Sequence, residues 1–78
     1  MTKQLAQLRA VVAGTPPAPA AMSAYLEQVR TRAYTVTDAD VERLLAAGCT
    51  EDEVFEQTVA TAISEGLRRL DAAKRVLG

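Results

Sequence analysis

The 78-residue chain has no histidine, no tryptophan, a single cysteine and only three aromatic residues. One thiol cannot close an internal disulfide. Without histidine there is neither an ordinary zinc set nor the commonest proton shuttle. No apolar run approaches the roughly 20 residues of a membrane span, and the first residues lack a basic flank followed by a leucine-rich signal core. A cytoplasmic address without a membrane partner is therefore expected. A net charge of −1, with 49% of residues hydrophobic, describes a chain that is neither disordered by composition nor a polycation built for nucleic acid.

The residues that are present spell helices. From Val36 to Gly78 the sequence holds two helix starts, one stop and the longest apolar stripe. Thr37 with Asp40 three residues on, flanked by Val36 and Val41 at staple spacing, opens a short helix, although glutamate or glutamine would close the box better. Gly48 follows Ala46-Ala47 and can take the left-handed conformation that ends a helix. Thr50 with Glu53 is a full capping box, and Cys49 with Val54 repeats the staple. From Glu51 to about Leu77 no proline intervenes. Phe55, Val59, Ala62, Gly66, Leu70, Ala73 and Leu77 recur at spacings of three and four, which is one face of a long helix.

Upstream, Leu5, Leu8 and Val12 give residues 1 to 13 a short amphipathic face. Gly14-Thr15-Pro16-Pro17-Ala18-Pro19 then breaks the helix and favours an extended connector, because each residue before a proline is pushed out of the α region. Met22, Tyr25, Leu26 and Val29 form a further helical face running to about Ala33, and Tyr34-Thr35-Val36 reads as a break before Thr37. The expected fold is all-α with about four helices: an N-terminal helix and proline-rich connector over 1–19, then a helical unit over 20–78. A domain of this size buries only about 60% of the surface its unfolded chain exposes, so completion by oligomerisation is expected.

Charge is segregated. Residues 1 to 36 carry Lys3, Arg9, Arg30 and Arg32 against Glu27; residues 37 to 56 carry seven acids against Arg43; the remainder is net +2. Much of this is helix chemistry, since Asp38, Asp40, Glu51, Asp52 and Glu53 stand in first turns, where the macrodipole favours negative charge, and Lys74 and Arg75 stand in the last.

The stretch from Tyr34 to Gly78, with Val36-Thr37-Asp38, Ala47-Gly48, the acidic turn 51 to 53, Val54-Phe55 and Gly66-Leu67-Arg68-Arg69-Leu70, resembles the C-terminal portion of the carboxymuconolactone decarboxylase and alkylhydroperoxidase D-like family. The resemblance covers a little over half the chain. It implies an all-helical fold that associates through its helices into dimers, trimers or hexamers. It does not bring the chemistry, because peroxidase members use a C-x-x-C pair with a nearby glutamate and histidine, and decarboxylase members rely on residues upstream of this portion. Cys49 stands alone at the corner beside Glu51, Asp52 and Glu53, which oppose an activated thiolate.

No catalytic, cofactor-binding or metal-ligating residue is therefore assigned. The residues singled out are interface candidates: Phe55, Val59, Ala62, Gly66 and Leu70, with Arg69, which is spaced i, i+4 from Glu65 and suited to a carboxylate ligand or a partner's acid. The reading is a non-catalytic, self-associating helical module resembling a truncated alkylhydroperoxidase D-like unit, with a protein partner also open. Two alternatives stand beside it. One is a small enzyme or small-ligand binder of that family. The other is a helix-turn-helix DNA-binding protein, which the acidic first turn and the length of the second helix oppose.

Overall fold

The two capping sites set the frame of the molecule. In the computed structural model, which describes residues 2–78 without the side chain of Thr2, Thr50 Oγ1 accepts the Glu53 N–H at 3.0 Å and Glu53 Oε1 accepts the Thr50 N–H at 2.9 Å. At Thr37 the Asp40 carboxylate accepts both the backbone N–H, at 2.9 Å, and the hydroxyl, at 3.2 Å. These start α3, Asp38–Ala46, and α4, Glu51–Leu77. Before them come α1, Thr2–Gly14, and α2, Ser23–Arg32, each element being helical as the apolar spacing predicts. Short 3₁₀ turns at Ala20–Met22 and Ala33–Thr35 flank α2, and no strand occurs among the described residues. Nor is any helix long and apolar enough to cross a membrane among them.

The corner between α3 and α4 is a Schellman turn. Gly48 has φ of 102°, the Cys49 N–H bonds to the Leu44 carbonyl at 3.0 Å, and the Gly48 N–H bonds to the Leu45 carbonyl at 3.1 Å. The hydrophobic contact that accompanies such turns is present, because Leu44 and Cys49 are buried in one cluster. The staple residue Val54 joins them there, while Val36, Val41 and Leu45 pack half-buried against the cluster. Phe55 does not turn inward with Val54. One residue further along a helix is 100° further round, and Phe55 is 71% exposed.

The core belongs mainly to α2. Met22, Tyr25, Leu26 and Val29 are all buried, as their spacing predicts, and Met22 is the one residue with no exposed surface among those described. α2 runs alongside α4 in the same direction. Tyr25 Oη lies 2.8 Å from Thr58 Oγ1 near one end, and Tyr34, just past α2, shares a groove with Gly66 and Arg69 near the other. α1 runs the opposite way along α4: Gln57 Nε2 donates to the Pro16 carbonyl at 2.7 Å, and Arg9 holds Asp71 at 2.8 Å. The connector is extended, with Pro19 at φ −58° and ψ 146°. The N-terminal arm is thus laid against α4, yet loosely, since Leu5 and Val12 are half-buried and Leu8 is exposed.

Three short helices on one side of a long one leave much surface open. The accessible area is 5624 Å², against about 4600 Å² for a compact monomer of 8.3 kDa. The radius of gyration is 14.0 Å, against about 11.5 Å for a compact chain of this length.

Two predictions follow from the caps and the corner. Beyond its two chain neighbours, an added Cβ at Gly48 would meet nothing within 4 Å, so the penalty of Gly48→Val is chiefly one of backbone conformation, about 1–2 kcal/mol or more for a β-branched residue at positive φ. Thr50→Ala removes one cap, about 1 kcal/mol. Denaturant midpoints at fixed protein concentration check both. A Gly48→Val protein as stable as the parent contradicts the left-handed corner. The second concerns acid. Arg30 bonded to Glu27, the Thr37 N–H on Asp40 and Arg9 on Asp71 hold those carboxyls below their ordinary values. Their folded-state affinity for protons is therefore the weaker, so the stability they contribute is complete above the ordinary carboxylate range and is lost as pH falls through the lowered values. Urea midpoints should hold near neutrality and decline below about pH 5, where unfolded carboxyls begin to take up protons; a midpoint unchanged between pH 7 and pH 2 contradicts these contacts.

Candidate functional site

At 3.6 residues per turn, α4 presents two different faces. Val54, Gln57, Ala60 and Leu67 are buried against the rest of the chain. Phe55, Val59, Ala62, Gly66 and Leu70 lie on the opposite side and share one stripe, as their spacing predicts. Phe55, Ala62, Gly66 and Arg69 are exposed, while Val59 and Leu70 are half-buried. The two sides differ in kind: the inward one includes Gln57 and serine or threonine at 61 and 64, whereas the outward one is apolar for most of its length.

Phe55 stands between two shallow grooves. On one side a space of about 470 Å³ is walled by Tyr25, Val41 and Leu45, with Glu51 and Asp52 also lining it; on the other about 400 Å³ is walled by Val11, Thr15 and Val59, with Asp52 and Glu56. The apolar surface therefore continues from α4 onto α1, where Val11 is 51% and Leu8 39% exposed. Val11 was not legible as part of this surface, because it falls off the Leu5, Leu8 and Val12 face and joins α4 only through the fold. Tyr34, 88% exposed, closes the far edge beside Ala62, Gly66 and Arg69.

Gly66 sits in the middle of the 27-residue helix, where glycine costs about 1 kcal/mol relative to alanine. Apart from the backbone of its own helix and its two chain neighbours, nothing lies within 4 Å of where a Cβ would be, so packing by α1, α2 or α3 does not account for it. Next to it, Glu65 Oε1 accepts from Arg68 Nη2 at 3.0 Å and pairs with Arg69 Nε at 3.4 Å. One carboxylate thus serves two guanidiniums, and positive charge is left over at the edge of the stripe.

A further groove, of about 400 Å³, opens between the connector, α2 and α4 and is lined by both polar and apolar residues. Arg30 and Arg68 flank it, with Thr61, Ser64 and Gln57 along its floor. Its charges are internally matched, since Arg30 is bonded to Glu27 and Arg68 to Glu65. Gln57 is the buried polar residue that sequence reading passed over. Its signal was its position, three residues from both Val54 and Ala60 on the inward face, and its amide ties the connector to α4.

Cys49 is buried between Leu44 and Val54 and is the sole thiol, which matches a small apolar corner residue. No family model matches the chain, and no curated protein or solved structure matches it either.

A thiol enclosed by the corner, with no second cysteine to resolve an oxidised form, is not expected to turn over peroxide. Cys49→Ser should leave peroxide consumption at the uncatalysed rate seen with the parent. Thiol-dependent turnover by the parent that this change abolishes would overturn that expectation.

Proposed function

We propose that this chain is a non-catalytic helical module that works by self-association through the outward face of α4, as expected for a unit that resembles a truncated member of the alkylhydroperoxidase D-like family. The observation that carries the reading is the stripe of Phe55, Val59, Ala62, Gly66 and Leu70 turned away from its own core, with a mid-helix glycine whose Cβ position no other element of the chain approaches within 4 Å. The surplus accessible surface points the same way. It amounts to about 1000 Å² over a compact monomer, a little above the roughly 800 Å² that one partner contributes to a standard interface. Contiguous apolar surface of this kind on a small protein marks an interaction site.

The test is assembly in solution. Phe55→Asp changes a largely exposed residue and should leave the monomer fold intact while weakening association at least tenfold, because a charge without a partner in a buried contact costs several kcal/mol. Leu70→Asp should act in the same direction and also lower stability, since Leu70 is half-buried. Sedimentation velocity over a concentration series measures both. A strictly monomeric parent, indistinguishable from the two variants, contradicts the reading.

A further inference from the structure

Resting on that self-association, we infer that two copies pack their α4 helices antiparallel, about a two-fold axis between Ala62 and Ile63. The occupant of the outward face is then the same face of a second copy, turned end for end.

The charge distribution along α4 selects this direction. Its first six residues include Glu51, Asp52, Glu53 and Glu56 and no base, the stretch from 57 to 64 carries no charge, and the stretch from 65 onward holds Arg68, Arg69, Lys74 and Arg75 against Glu65 and Asp71. Antiparallel packing brings the acidic end of each copy to the basic end of the other, where the surplus at Arg69 can take an acid from the partner. Parallel packing would stack acid on acid and base on base. Helix dipoles agree, since antiparallel neighbours set the positive end of one beside the negative end of the other.

Side-chain size selects the same arrangement. Phe55 and Leu70 are equally far from the axis, so each faces the other across the interface. Val59 and Gly66 are also equidistant, which places a branched side chain over the bare backbone of the partner. Gly66 then becomes the recess that lets the two helices approach, and Ala62 keeps the centre thin. In a parallel pair glycine would face glycine and leave a void, and Phe55 would face Phe55. A two-fold interface must be complementary to itself, and this stripe meets that condition only when reversed.

The experiment uses the full chain with Cys49→Ser and Arg75→Cys, nitroxide-labelled at residue 75, and reads the inter-label distance by pulsed electron paramagnetic resonance. Residue 75 points away from the stripe, so the label leaves the contact untouched. With a rise of 1.5 Å per residue, antiparallel copies place the two labels beyond about 40 Å, whereas parallel copies place them within about 30 Å. The unmodified protein supplies an independent reading: raising sodium chloride from 50 to 500 mM should weaken the dimer several-fold, because the end-to-end attractions are screened. A dimer with a short distance, or one that tightens with salt, overturns the antiparallel arrangement and leaves self-association standing. A protein monomeric under all these conditions overturns both.

Discussion

A 27-residue helix has more circumference than three short helices can cover, and the organisation of this chain follows from that shortage. α2 and α1 take two flanks of α4, and α3 touches it near the corner. What the inward side receives is a mixed surface tied by specific hydrogen bonds: Tyr25 to Thr58 and Gln57 to the Pro16 carbonyl. Of the apolar stripe on its other side, Phe55, Ala62 and Gly66 stay exposed and Val59 and Leu70 are only half-buried. A fold that spends Phe55 and Leu8 on solvent, with Met22 alone fully enclosed among the described residues, has a thin core for its length. Covering the outward face with a second copy, as proposed, would supply the missing burial without adding an element to the chain.

The corner at Gly48 makes this division possible. The Schellman bonds fix the exit from α3, and the Thr50 box fixes the entry to α4, so the direction of the long helix relative to the core is set within a few residues. Because Cys49 and Val54 close the staple inside the core, the residue after Val54 is directed outward. The same local geometry that stabilises the turn therefore decides that Phe55 is presented rather than buried.

The helices and their ends were readable because each is written in local chemistry. The boxes at Thr37 and Thr50, the left-handed glycine and the buried spacing of Met22, Tyr25, Leu26 and Val29 concern neighbours within a turn or two. The stripe on α4 was readable as a stripe for the same reason. Which side of α4 would face inward was not, since Val54, Gln57, Ala60 and Leu67 form a weaker apolar pattern than the stripe, and their burial depends on where α1 and α2 settle. The joining of Val11 to Phe55, the pairing of Arg9 with Asp71 and the burial of Gln57 are long-range outcomes of the same kind. The proline-rich connector announced an extended link, but its sequence could not say that the link would bring α1 back along α4.

If the outward face of α4 is a contact surface, the protein in solution is larger than one chain. Small-angle X-ray scattering of the unmodified protein over a dilution series measures this directly. Self-association gives a scattering mass of about twice the 8.3 kDa of one chain at high concentration, falling on dilution with a shared set of two species. A mass of 8.3 kDa and a radius of gyration near 14.0 Å at every concentration would contradict it.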